Sequence, residues 1–282
     1  MDTVDNLVRG SIDMHVHMAP DAHLARSVDA MQAASQAEAA GMRAIVLKSH
    51  DYPTAPLAAI IGQQFHNVTI IGGLCLDFAV GGLNPAAVEA SALLGARVVW
   101  MPTFSAAFDM NKRSLGPGGI SIIGERGTVL PVVADILNLV KRHQMVLATG
   151  HVSFEEIKAL AEEAKKLGIS KVVVTHALEP RFGATLSVEQ QVQMAAKGAY
   201  IEHTYLSALP AGGGIGMPKM IEAIRAAGAD RCILTTDLGQ KENPTPAQGM
   251  RDAVKSLLDG GLSADEVSVM VKTNPARLLG LR

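Results

Sequence analysis

The chain has 282 residues, with 25 Lys+Arg against 27 Asp+Glu and a formal net charge of −2. That balance lacks the basic excess of a nucleic-acid-binding protein, and no run approaches the roughly 20 uninterrupted apolar residues of a membrane span. With 48% hydrophobic and 18% charged residues the chain can fill a large core. The segment MDTVDNLVRGSIDMH carries Asp2, Asp5 and Asp13 and has no leader pattern, so a cytoplasmic protein is expected. Cys75 and Cys232 sit far apart in apolar runs and read as buried thiols rather than a disulfide.

Short β-branched runs alternate with Ala-rich stretches of helical period along the chain. The expected strands are 11–17, 43–49, 68–76, 97–103, 145–151, 171–177, 199–204 and 231–237. Helices are expected near 27–40, 54–65, 84–94, 128–143, 153–167, 187–197, 216–227 and 246–259, with a last one near 263–279. Ser153 followed by Glu155 and Glu156 marks one helix start, and Gly41, Gly95, Gly168, Gly198 and Gly228 stand where helices stop. Strands made of continuous Val/Ile/Leu are buried on both faces, which implies parallel strands covered by helices. Eight such units predict an α/β fold, a (β/α)8 TIM barrel occupying residues 1–282 as a single domain. An open doubly wound sheet would want a Gly-rich turn after strand 1, where His15-Val16-His17 stands instead. The long connection 104–128 is expected to cover an active site.

Five of the nine histidines fall at strand ends. His15 and His17 close strand 1, His151 closes strand 5, and His176 and His203 lie near the ends of strands 6 and 7, while Asp237 closes strand 8. In a parallel barrel these ends meet at the face where active sites are built. Alternation along strand 1 turns His15 and His17 inward and Val16 toward the helices. Closure makes strand 8 the neighbour of strand 1, bringing Asp237 beside them. Imidazoles plus a carboxylate suit Zn²⁺, with Mn, Fe, Co or Ni as alternatives.

The pattern DMHVH, with a His ending strand 5, a His ending strand 6 and an Asp ending strand 8, resembles the amidohydrolase superfamily of metal-dependent hydrolases. The resemblance implies His15, His17 and Asp237 as metal ligands, His151 and His176 as matches to the strand 5 and strand 6 histidines, and Asp237 as proton acceptor from the attacking water. Many two-metal members place a bridging Lys or Glu at the end of strand 4, which reads RVVWMPT here. The departure favours one ion, on His15, His17, His151 and Asp237 with His176 close by; a second ion on His176, His203 or a strand 2 residue is the alternative.

Lys48 and His50 end strand 2, and Glu202 precedes His203 on strand 7. Lys48 reads as a cation for substrate or transition state, as a carboxylated bridge, or as a rim lysine. His50, His203, Glu202 and Arg181 are taken as substrate contacts, and Asp237, His176 and Lys48 as the catalytic groups. Arg26, Arg181 and Lys241 in mouth loops, and the glycines of LPAGGGIGMP, point to an acidic group on the substrate, though each cation singly reads as solvated surface charge. The expected activity is hydrolysis of a small amide, cyclic amide or lactone. The alternatives are nonoxidative decarboxylation, then phosphoester hydrolysis, and last a binding protein that has lost the chemistry. The partner is a small molecule, and the composition is compatible with a homo-oligomer.

Overall fold

The computed structural model describes residues 2–282. Its eight strands are β1 (Ile12–His17), β2 (Ala44–Lys48), β3 (Thr69–Cys75), β4 (Val98–Trp100), β5 (Val146–Ala148), β6 (Val172–Val174), β7 (Tyr200–Thr204) and β8 (Cys232–Thr235). They pair in parallel in sequence order. The ring closes where Val16 bridges Leu238 and the His17 N–H donates to the Leu238 carbonyl at 2.8 Å. The expected barrel and all eight expected strands are present. Among the described residues no helix is long and apolar enough to cross a membrane, and both cysteines are buried and free.

The core has two concentric parts. Between sheet and helices pack residues such as Val16, Ile45, Leu47, Val99, Leu147 and Ile201. Inside the barrel lie Ile12, Met14, Val46, Val98, Trp100, Val173, Tyr200 and Ile233, joined by Leu278 and Leu279 of the last helix, which plug the N-terminal ends of the strands. The Trp100 ring has room because it lies over Gly73 of β3, where a Cβ would come within 2.4 Å of the indole. The interior is therefore filled below and open above, at the C-terminal strand ends.

Register explains how two histidines of β1 face that opening. Ile12 pairs with Ala44 and Asp13 with Ile45, but Val16 pairs with Leu47, so β1 carries one residue more than β2 over this stretch. Met14 and His15 share the place opposite Val46, after which Val16 faces the helices and His17 faces inward opposite Lys48.

Three helices stand where none was expected, one of them the short Tyr205–Ala208 that follows β7. Thr3–Val8 forms because Asp2 Oδ1 accepts the Asp5 N–H at 2.7 Å, a side-chain cap on a segment too short to show period. Ala107–Lys112 forms inside the connection expected to be a loop. The base of that connection is tied down by Glu156, which closes the capping box with Ser153 through Oε2 and accepts from Ser121 Oγ and the Ile122 N–H, both at 2.9 Å, through Oε1. The last helix is split into Ala264–Ser268, a π-turn over Val269–Thr273, and Asn274–Leu279. Pro275, with no N–H to donate, interrupts the regular ladder there.

The seam between β1 and β8 is held by Asp13. Its carboxyl accepts from the Thr236 N–H at 3.1 Å, the Thr236 hydroxyl at 2.5 Å and the His15 N–H at 3.2 Å. Burial pushes this group up to about 7 against those bonds. Asp13→Ala leaves buried donors without acceptors, at about 1–3 kcal/mol each. Urea unfolding is expected to show a midpoint lowered accordingly at unchanged slope; an unchanged midpoint would mean the seam closes without Asp13.

Candidate metal centre

His15, His17, Lys48 and Asp237 meet at the open end of the barrel, above Trp100. Asp237 follows β8 with a left-handed φ of 55°, and its N–H donates to the His15 carbonyl at 2.9 Å. Its Oδ1 lies 3.0 Å from His15 Nε2 and 3.1 Å from His17 Nε2. Lys48 Nζ is 3.0 Å from His15 Nε2 and 5.4 Å from the Trp100 ring centre. At 1% exposure Lys48 is no rim lysine; β2 carries it into the interior beside Ala44 and Val46.

Glu202 holds the underside of this group. Its Oε1 is 3.1 Å from His15 Nδ1 and accepts from Thr235 Oγ1 at 3.0 Å, while Oε2 accepts the His176 N–H at 2.8 Å. It supports His15 rather than lining the cavity above. His203, expected with it as a substrate contact, is on the other side of β7: Tyr200 and Glu202 face inward, so His203 faces the helices, its ring nitrogens buried without partners. The alternation Tyr200-x-Glu202-x-Thr204 carried that signal.

His151 and His176 stand across the barrel with ring centres 4.7 Å apart. His176 Nδ1 is buried without a partner, and His151 Nδ1 faces Asp109 Oδ1 at 3.4 Å without hydrogen-bond alignment. Gly183, at a φ of 59°, packs so closely that a Cβ there would come within 2.9 Å of His151 Cα and 3.3 Å of His176 Cε1. Asp109 anchors this loop by accepting the Gly183 N–H at 2.8 Å and Arg113 Nη1 at 3.1 Å. His50 stacks on Phe104 at 3.9 Å and on His17 at 5.1 Å.

The imidazoles differ sharply in charge. Burial opposes protonation of His15, but the Asp237 and Glu202 carboxylates outweigh it and push His15 up to about 9. Burial and the Arg26 charge hold His17 well below the ordinary histidine range, and burial beside His151 does the same for His176. Burial also lowers His151, takes His50 down to about 3 and His203 to about 4. Although burial opposes its charge, Asp237 is held well below the carboxylate range by His15 and His17. Glu179, a carboxyl that strand-end reasoning passes over, is pushed up to about 7 by burial.

Above this floor opens a cavity of about 350 Å³, with His17, Lys48, His50, His151, His176 and Asp237 in its walls. Arg26, Phe104, Arg181 and Phe182 complete its mouth. Arg26 is not the solvated charge its loop position suggests. Its side chain is 1% exposed, Asp21 Oδ2 accepts from Nε at 2.8 Å and Nη2 at 2.5 Å, and Nη1 is buried without a partner. Arg181 and Lys241 are exposed, and His23 pairs with Asp51 at 3.0 Å with its side chain 65% exposed. The glycine loop offers less than expected, because the N–H groups of Gly212, Gly213, Gly214 and Ile215 bond within it or to Ser207. From the connection 104–128, Phe104 reaches the cavity, and Arg113 and Leu115 line an adjoining recess.

The donor chemistry fits a divalent cation. His15, His17 and Asp237 each offer a ligand atom within 4.8 Å of the others, and all three are buried. His15 gives its second nitrogen to a carboxylate, the support that orients metal-binding imidazoles. His176, whose Nδ1 is buried without a partner, has its ring centre 6.2 Å from that of His15.

The family model described as "Family of unknown function (DUF6282)" matches residues 10–202. No curated protein matches the chain. Among solved structures, an amidohydrolase from Pseudomonas aeruginosa superposes with a TM-score of 0.68 at 14% identity, covering 99% of this chain and 98% of that one. The probable dipeptidase PvdM from the same organism gives 0.69 at 10% identity, with 98% and 96% covered. A 2,6-dihydroxybenzoate decarboxylase from Rhizobium gives 0.55 at 14%, with 97% and 99% covered. These likenesses show the fold, an eight-stranded parallel barrel flanked by helices.

The charge on His15 sets a pH dependence in metal-stripped protein. A group raised from 6.5 unfolded to about 9 folded adds stability that is complete below pH 6.5 and lost as pH rises through 9. The urea midpoint of the stripped wild type is expected to fall relative to that of His15→Asn across that window, since the other buried groups titrate in both proteins. A constant difference between the two would remove the proton assigned to His15.

Proposed function

The chain belongs to the family of unknown function (DUF6282), and we propose that it is a metal-dependent hydrolase of a small carbonyl compound, an amide, cyclic amide or lactone carrying an acidic group. The observation that carries this reading is the convergence of two imidazole Nε2 atoms and one carboxylate at the floor of a cavity that a small molecule can enter. We assign His15, His17, His151 and Asp237 as the ligands of one ion, Zn²⁺ by preference, with His176 beside them.

A divalent cation there would lower the pKa of a water molecule from about 15.7 toward 7. The protein's own groups do the rest. Asp237 accepts the proton of the attacking water and returns it to the leaving group. Lys48 and His176 donate hydrogen bonds to the carbonyl oxygen as negative charge gathers on it. Arg26, held rigid by Asp21 with Nη1 unpaired, binds the acidic group. Phe104 and Phe182 exclude water at the mouth.

A second reading, nonoxidative decarboxylation of an aromatic acid, is favoured by the pairing of cationic Arg26 and Lys48 with aromatic Phe104 and Phe182 in one cavity. Release of CO₂ from the substrate distinguishes the two.

Metal analysis of protein purified without chelators is expected to give about one equivalent per chain, the number of ions the proposed ligand set holds. A value near zero that persists after incubation with Zn²⁺ and desalting would sink the proposal. Asp237→Asn is expected to reduce turnover by roughly 10²-fold or more with the circular dichroism spectrum unchanged; near-normal turnover would remove Asp237 from its role. Arg26→Met should raise KM for an acidic substrate and spare its neutral analogue, and equal effects on both would reject the assignment of Arg26.

A further inference from the structure

We propose that His50 is a substrate-contacting group that accepts a hydrogen bond through Nε2, positioned by Thr103 and Asp77, so that the cavity selects carbonyl compounds bearing an N–H or O–H donor. This rests on the cavity's being the substrate site, as proposed above.

Three consecutive strands deliver the parts. His50 follows β2, Asp77 follows β3 and Thr103 follows β4. Asp77 Oδ1 accepts the Thr103 N–H at 2.8 Å and the Ser105 N–H at 2.9 Å, and Oδ2 accepts the Thr103 hydroxyl. These donors and His50 hold Asp77 below the carboxylate range despite its burial, so it is ionised and can only accept. A threonine hydroxyl has one proton, and Thr103 gives it to Asp77. Toward His50 Nδ1, 2.6 Å away, Thr103 Oγ1 can therefore only accept. The other oxygen near Nδ1, Asp77 Oδ2 at 3.5 Å, is also an acceptor. Nδ1 must carry the ring proton, which leaves Nε2 with a free lone pair.

Among the described residues, His50 makes its hydrogen bond through Nδ1 alone, and the ring lines the cavity with 6% of the residue exposed. Stacking against Phe104 and His17 fixes the ring plane. The neighbouring cavity groups Lys48 and Arg26 only donate. His50 supplies the opposite polarity, which a lactone cannot use and an amide or imide N–H can. A site built to hydrogen-bond a donor discriminates against analogues that lack it, because its buried polar group is left unpaired. Cys75 lies in the same cluster, with ligand atoms within 4.8 Å of those of His50 and Asp77. Asp77 is already saturated by donors, however, and burial pushes the Cys75 thiol upward, away from the thiolate a cation would need.

The test uses the full chain and begins without metal. Long-range ¹H–¹⁵N spectra of the imidazoles should show His50 protonated at Nδ1 in the wild type and a mixture of tautomers in Thr103→Val; an Nε2 proton in the wild type overturns the proposal. Succinimide should shift the His50 Nε2 resonance and N-methylsuccinimide should not, with binding of succinimide weakened at least tenfold in His50→Phe. Equal response to the two probes, or none to either, overturns it. Metal content of His50→Phe should match wild type, and its loss would make His50 a ligand instead. Because the tautomer is read in metal-free protein, failure here is separate from failure of the metal assignment.

Discussion

The closure of β8 onto β1 is the constraint from which the rest of the centre follows. Asp237 lies some 220 residues beyond His15 and His17 along the chain, and only the last parallel pairing of a ring brings them within hydrogen-bond distance. Parallel closure leaves buried polar seams, and here Asp13 and Thr236 satisfy one another on the helix side while Asp237 and His15 share a backbone bond on the cavity side. The seam that completes the barrel thus also brings the candidate metal ligands together. Sealing the lower end with Leu278 and Leu279 confines the polar groups to one tier, where they can interact without competing water.

Within that tier, position alone makes chemically identical groups unlike. Without an ion, the Asp237 and Glu202 carboxylates on either side of His15 raise its pKa against burial, while burial and the Arg26 guanidinium hold His17, one ring away, well below the ordinary range. Arg26 can occupy so buried a place because Asp21 neutralises it and is itself pinned by the N–H groups of His23 and Leu24. The loop after β1, with no regular structure, therefore tunes a histidine of the strand before it.

Much of this was legible in the sequence. Buried parallel strands announce themselves as short apolar runs, and polar residues that end such runs must gather at one face, as His15, His17, Lys48, His151, His176 and Asp237 do. The same rule applied to GGLCLD would have found Asp77, which looks in isolation like the mere end of an apolar run. His203 also lies near a strand end, but its parity in β7 puts it on the helix side. Asp109, Glu179 and Phe182, and the burial of Arg26, were not legible. They depend on the paths of irregular loops, which carry no periodicity and take their shape from contacts such as Asp109 with Gly183. The helix Ala107–Lys112 escaped for the same reason.

The extra residue in β1 separates two jobs that a regular strand would bind together. Ile12 and Met14 obey the parity of the apolar interior, and His15 and His17 obey the opposite parity one step later. The packing tier and the polar tier of this strand can therefore vary independently, since neither dictates the phase of the other. Anyone transplanting the His-x-His pair into another barrel must carry Asp13 and Met14 with it. Grafted onto a strand of unbroken alternation that keeps the inward phase of Ile12 and Met14, the two imidazoles would turn away from the lumen and bury themselves among the helices.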